Sequence, residues 1–198
     1  MELLAKIIVG IVAVGMLLMF FARRLLRQTQ PEREMIDRPK SWLQMWPFIT
    51  LPAFGVLALL AIADIANLPY TGVWVEVVRG LGLLLLIAGV MLTLWARKSL
   101  GKQLIPDVAV TQEHELIQTG AYAICRHPLY LGFLAIWLGA GLAMLNLLLL
   151  LTFLIVATIQ TRRAKLEEEL LLKHFGMAYE VYRRKVPRLF PLRLRRPR

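Results

Sequence analysis

Two stretches of the chain gather titratable, aromatic and turn-forming residues. One is RRAKLEEELLLKHFGMAYEVYRRKVPRLFP, from Arg162 to Pro191. Within it Arg163 and Glu167 stand four residues apart, which on a helix places them on one face. A guanidinium stays charged, and its planar fork matches a carboxylate bidentately. A carboxylate one turn away can accept hydrogen bonds from an ammonium group and balance positive charge. Glu167, Glu168 and Glu169 are consecutive, so their repulsion requires nearby cations or water. Charge pattern alone fits a solvated helix face as well, where an exposed ion pair contributes little. Phe175-Gly176 reads as a helix stop, with Tyr179 and Tyr182 on a short amphipathic continuation.

The other stretch is HELIQTGAYAICRHPLYLG, from His114 to Gly132. Gly120 can adopt a turn conformation closed to other residues. Pro128 suits the first turn of a helix, where its missing N–H costs nothing. The N-terminus of that helix favours an anion. Tyr122, Arg126, His127 and Tyr130 crowd the same corner, a composition that also fits an interfacial anchor at headgroup depth. The single cysteine, Cys125, cannot form an internal disulfide and reads as a small apolar filler. There is no Gly-rich phosphate loop, and His114, His127 and His174 lack metal-ligand spacing.

These stretches must be positioned by strongly apolar elements. Of 198 residues, 58% are hydrophobic and 19% charged, whereas soluble domains average about 45–50% apolar and about 25% charged. The net charge of +11 would suggest nucleic acid in a soluble protein. Here the basic residues fall between and after apolar runs, the pattern of cytoplasmic loops facing anionic lipid, so a nucleic-acid partner is not expected. Crossing the hydrocarbon core takes about 20 apolar residues. Candidate spans run from Leu3 to Ala22, Trp46 to Ala66, Val77 to Trp95, Tyr130 to Leu145 and Leu147 to Thr161. The first reads as a retained helix, not a cleaved signal, because it lacks a small-x-small site and Arg23 and Arg24 follow it.

Asn146 alone separates the last two spans, which predicts a tight hairpin. Loop charge alternates: Arg23 to Lys40 is basic, Asn67 to Trp74 uncharged, Arg97 to Arg126 basic, Asn146 uncharged, and the tail from Arg162 basic. The expectation is therefore an all-α membrane protein of about five spans, N-terminus outside and tail in the cytoplasm. Its first part, 1–99, would supply three helices, and 100–198 the loop, the hairpin and the basic tail. Trp42, Trp46, Trp74 and Trp95 fall near predicted span ends, and Trp137 inside the fourth. Gly80, Gly82, Gly89, Gly132, Gly139 and Gly141 permit close helix packing. Asp64 is the one candidate deep charge, near enough to a span end to reach headgroups.

At the two polar stretches the chain resembles the isoprenylcysteine carboxyl methyltransferase family, in its short prokaryotic form. The matching pieces are His114-Glu115-Leu116-Ile117, Gly120-Ala121-Tyr122 and Arg126-His127-Pro128-Leu129-Tyr130-Leu131-Gly132. Arg163 with Glu167-Glu168-Glu169, Phe175-Gly176, Tyr179, Tyr182 and Val186 to Pro191 follow in the family's order. The resemblance implies a membrane-embedded enzyme using S-adenosyl-L-methionine. It implies that His114, Glu115, Leu116, Ile117, Tyr122, His127, Pro128, Leu129, Tyr130 and Glu167 contact that cofactor, and that Arg163 faces the substrate. No metal is implied. Where the family often carries Gln or Glu upstream of His114, this chain reads Asp107-Val108-Ala109-Val110. The implied acceptor is lipophilic or lipidated, with carboxyl O-methylation favoured by Arg163. A phospholipid amine acceptor, an NADPH-dependent membrane reductase and a non-enzymatic scaffold or transporter are the alternatives. Oligomeric state is not legible in the sequence.

Overall fold

A computed structural model describes residues 1–29, 35–37, 41–101, 110–111 and 115–190. Six α-helices dominate them: α1 (Glu2–Thr29), α2 (Trp46–Ile62), α3 (Val73–Leu100), α4 (Pro128–Met144), α5 (Leu147–Phe175) and α6 (Met177–Lys185). Within α1, α3 and α5, the stretches Glu2–Ala22, Val73–Leu100 and Leu147–Phe175 are long and apolar enough to cross a membrane. α2 and α4 are apolar helices of 17 residues each, so each rises roughly 26 Å against a hydrocarbon core of about 30 Å.

Several boundaries depart from the sequence expectation. α2 stops at Ile62, short of Ala66, because the chain turns through Asp64 and Ala66 at φ 60° and 63°. α3 starts four residues before Val77 and runs past Trp95. The chain is also not purely helical: Met35–Asp37 pairs antiparallel with Val110–Thr111. Two polar connections thus share a short ladder, too brief to show in a hydropathy pattern.

The hairpin forms as expected. Leu145 ends α4 in the left-handed region, φ 49°, and the Asn146 side chain accepts from Leu149 N at 3.0 Å, capping α5. The Asn146 amide also donates to the Ile65 carbonyl and to Asn67 Oδ1, each at 2.8 Å. One buried side chain therefore ties the α2–α3 connection to the α4–α5 turn. Beside it, Asp64 accepts from Lys6 and from Asn67, both at 2.8 Å, and holds α1 to the end of α2.

The core lies where α1, α2, α3, α4 and α5 meet, with Phe54 edge-on to Trp137 at 5.0 Å. That buried contact accounts for the indole in the middle of α4. α3 and α4 pack most closely. A Cβ at Gly82 would lie 2.4 Å from the Ala143 backbone nitrogen, and one at Gly139 2.5 Å from that of Leu86. Gly89 and Gly132 face each other further along the same seam. This seam carries α4 toward the C-terminal end of α3. There Ser99 Oγ accepts from Ala121 N at 3.2 Å and Gly120 takes φ 61°. A side chain at Gly120 would strike that hydroxyl. The turn Gly120–Ala123 is thereby seated on α3, immediately ahead of α4.

Candidate functional site

The N-terminus of α4 and the second half of α5 face each other, and both sequence stretches meet there. Pro128 occupies the first helical position, as its fixed φ favours. His127 precedes it with its side chain turned away from any capping role. Its imidazole stacks on the Tyr130 ring, centroids 5.3 Å apart and planes within 1°. Nδ1 lies 3.6 Å from Glu167 Oε2, and Nε2 3.2 Å from Glu168 Oε1. Facing a carboxylate on each side, the ring serves both only as imidazolium. Burial opposes that charge, but the two carboxylates outweigh it and hold the His127 pKa above the ordinary imidazole value.

Glu167 Oε2 also accepts from the Tyr130 hydroxyl at 2.8 Å. Its other oxygen carries no hydrogen bond among the described residues, and the side chain is 35% exposed. One oxygen is therefore fixed, and the other has no partner among the described residues. Arg163, one turn back on α5, is only 3% exposed. Its guanidinium donates to the Leu43 carbonyl, in the turn Trp42–Met45 that leads into α2, and its charge bears on Tyr130 and Glu167. The expected shared face of Arg163 and Glu167 is thus present and turned into the protein.

The three consecutive glutamates have separate fates. Glu169 is exposed. Glu168 is buried and held by Arg126 Nη2 at 3.0 Å, by His127, and by Arg188 through two bonds of 2.6 and 3.0 Å. Main-chain bonds reinforce the clamp: Arg126 N donates to the Pro187 carbonyl at 2.9 Å and His127 N to that of Arg188 at 3.1 Å. The Tyr182 hydroxyl of α6 donates to the Tyr122 carbonyl at 2.7 Å. The chain after α5 therefore folds back over the corner where α4 begins. The end of α5 at Gly176 and the buried faces of Tyr179 and Tyr182 on α6 match the expectation.

Of the other candidates, Tyr122 is buried with Ala96 and Ala121, and Ile117 and Leu129 pack against them. Burial raises the Tyr122 phenol pKa, so this ring stays neutral. Leu116 is half-buried and Glu115 exposed. His114 and Asp107 lie outside the described residues. Cys125 is buried, and burial pushes its thiol up to about 11, in keeping with a filler and not a nucleophile. Among the described residues no His, Cys, Asp or Glu cluster could hold a metal ion. Sequence reasoning missed the clamp on Glu168, the role of Arg188 and the Leu43 carbonyl. The only signal was the uncompensated acid run itself, which demanded cations without saying which.

Residues 77–178 match the family model for phospholipid methyltransferase, more than half of the chain. The chain belongs to that family. Curated relatives refine the match. A protein-S-isoprenylcysteine O-methyltransferase of Schizosaccharomyces pombe is 39% identical over 82 residues, 41% of this chain and 35% of the relative. One of Saccharomyces cerevisiae is 36% identical over 109 residues, 54% of this chain and 46% of the relative. Protein-S-isoprenylcysteine O-methyltransferase B of Arabidopsis thaliana is 30% identical over 113 residues, 56% and 57% of the two chains. The chain spans roughly a third to just over half the length of these relatives. They bear out the resemblance to isoprenylcysteine methyltransferases drawn from the Arg-His-Pro corner and the Arg/Glu helix.

Proposed function

We propose that this chain is an integral membrane methyltransferase that esterifies a carboxylate on a lipophilic, isoprenylcysteine-like acceptor. The observation that carries the reading is a buried guanidinium, Arg163, one turn from a carboxylate with one open oxygen, Glu167, beside the start of α4. The donor set fits S-adenosyl-L-methionine. Glu167 Oε1 would accept from its ammonium group, and Ile117, Leu129 and Tyr122 offer an apolar and aromatic wall for its adenine. The α4 N-terminus at His127-Pro128 suits its carboxylate. The family resemblance adds His114, Glu115, Leu116 and Tyr130 as cofactor contacts. Bound there, the cofactor supplies an electrophilic methyl group on a sulfonium.

The protein's own part is positioning. A carboxylate acceptor is ionised at neutral pH and needs no general base. Arg163 would hold it by charge-assisted bonds at the border of the membrane, where an unpaired carboxylate is costly. Tyr130 and His127 fix Glu167, and Glu168 fixes His127. Such prior alignment of reacting groups is a large source of rate in a displacement reaction. In this reading α2 and α4 also span the bilayer, giving five spans with the N-terminus outside. The site then opens to the cytoplasm, cofactor enters from water, and the acceptor enters sideways between helices. In this reading the chemistry belongs to residues 100–198 and the anchoring to 1–99, whose Leu43 carbonyl and Ser99 hydroxyl help to hold the site.

Purified protein in detergent, given methyl-labelled S-adenosyl-L-methionine with an N-acetyl-S-prenylcysteine, should form a base-labile methyl ester. Label appearing only in added phosphatidylethanolamine would favour the second reading, a phospholipid amine N-methyltransferase, which the family description supports. The relatives reported above are all methyltransferases by name, which weighs against an NADPH-dependent reductase.

A further inference from the structure

From Arg162 to Arg198 twelve Lys or Arg stand against four Glu. The structure shows where those acids are used. Glu167 is pinned by Tyr130 and His127, and Glu168 by Arg126, His127 and Arg188. Glu180 lies between two cations of its own helix, 2.6 Å from Arg183 Nη2 and 3.0 Å from Arg184 Nε. Glu169 is exposed, on the outward side of α5 with Arg162 and Lys165 at three- and four-residue spacing.

The last turn of α6 carries Arg183, Arg184 and Lys185 in succession, all exposed, and Arg184 keeps 77% of its side-chain surface. Cations at a helix C-terminus complement the macrodipole, but that end offsets only about half a charge. Glu180 offsets one more, so the turn stays net positive. It is also fixed in place on either side. Before it, the Tyr182 hydroxyl bonds the Tyr122 carbonyl; within it, the Arg183 carbonyl accepts from Arg126 Nη1 at 3.2 Å. After it, the Pro187 and Arg188 carbonyls accept from Arg126 N and His127 N. Arg126 and His127 are the residues that grip Glu168, and His127 also faces Glu167. The positive turn is therefore built onto the corner where α4 begins. Arg162 and Lys165 lie on the side of α5 opposite Arg163, toward lipid, and supply separate cations for headgroups.

We propose that Arg183, Arg184 and Lys185 form a rim on the water side of the site that docks an acidic portion of the acceptor and rejects a polybasic one. The inference rests on the proposed function, in which Arg163 holds the acceptor's carboxylate and the bilayer holds its lipophilic part. With both placed, the remainder of the acceptor leaves toward water past the corner and its rim. Carboxylates there gain from the positive turn, and a run of Lys is repelled. Such a field reaches about 10 Å at 0.1 M salt and changes rates of charged encounter by about 10- to 1,000-fold.

The test uses the full chain in an uncharged detergent and three peptide acceptors ending in the same S-prenylcysteine. The residues before it are three Asp, three Ser or three Lys. At low salt kcat/KM should fall in that order, by about tenfold or more between the Asp and Lys peptides, and the values should converge at high salt. Arg184→Glu combined with Lys185→Glu should flatten or invert the order and leave the Ser peptide unchanged. A Lys peptide used as well as the Asp peptide by the wild type overturns the rim, as does an order that the double variant keeps. A loss shared by all three acceptors, seen only after reconstitution in vesicles containing phosphatidylglycerol, assigns the turn to anionic lipid instead and overturns the proposal. Turnover of the Ser peptide with no charge order removes the rim and leaves the proposed function standing. Turnover of none of the peptides removes the proposed function and the rim with it.

Discussion

Arg163 and Glu167 differ from Lys165 and Glu169 of the same helix in what encloses them. Lys165 and Glu169 face outward, whereas Arg163 is buried and Glu167 is pinned at one oxygen by Tyr130 and His127. A lysine at 163 would keep the charge but lose the planar fork, so Arg163→Lys should lower kcat/KM for the carboxylate acceptor by about ten- to a hundredfold. Binding of S-adenosylhomocysteine, measured by calorimetry in detergent, should change little. The opposite pattern is expected for Glu167→Gln, which keeps shape and removes charge: cofactor affinity should fall and the yield of folded protein persist. Wild-type affinity in that variant would remove Glu167 from the cofactor site. His127 adds a pH dependence. Its folded pKa lies above the ordinary imidazole value, so its contribution to stability is complete below that value and fades as pH rises through the folded one. Thermal midpoints of the wild type should therefore decline from neutral toward alkaline pH more steeply than those of His127→Gln. Parallel curves for the two proteins would show that the imidazolium does not hold the carboxylates.

At the scale of elements, the seam between α3 and α4 decides where the site's proline-started helix sits. Six glycines look equivalent in the sequence, since all lie in apolar runs. The structure separates them. Gly82, Gly89, Gly132 and Gly139 meet backbone or β-carbon atoms of the opposite helix, while a Cβ at Gly80 would touch only the end of Met1 at 3.6 Å. Gly139→Val should therefore force the helices apart, with a cost of about 1–3 kcal/mol or more in overpacking, and should displace the α4 start enough to reduce activity. Gly80→Ala should be neutral by the same unfolding assay, and equal loss at both positions would argue against the seam. The four-residue repeat of the Arg/Glu pair, the Pro128 start and the Asn146 hairpin were legible because each rests on local geometry. The α3–α4 contact, the ladder between Met35–Asp37 and Val110–Thr111, and the partners of Glu168 were not, because each joins residues far apart in sequence. Hydropathy also extended α2 past Ile62, since Ala63 to Ala66 are mostly apolar and their turn is held by bonds from Asn146 and Leu147 to the Ile65 and Ala66 carbonyls.

For the whole molecule, the proposed function requires a cofactor from water to meet a carboxylate acceptor at the membrane border without the site standing open. Glu168 supplies the connection. It lies on α5, yet its partners come from the segment before α4 and from the chain beyond α6, so it fastens the C-terminal return to the corner where α4 begins. Its carboxylate is nearly buried, and removing its cations would leave an uncompensated charge, a costly state. Glu168→Ala and Arg188→Ala should each loosen residues 177–190 without unfolding the bundle. Trypsin should then cut faster at Arg183, Arg184 and Lys185, which are exposed but held in α6. Because the two residues share one interaction, the double variant should be less impaired than the sum, with a coupling of about 1–3 kcal/mol. In Glu168→Ala cofactor affinity should weaken along with the faster cleavage, since His127 loses its second carboxylate and Glu167 then loses a fixed neighbour. Faster cleavage with unchanged affinity would mean that the return segment covers the corner without shaping it; additive effects would mean that the Arg188 bonds to Glu168 do not fasten it.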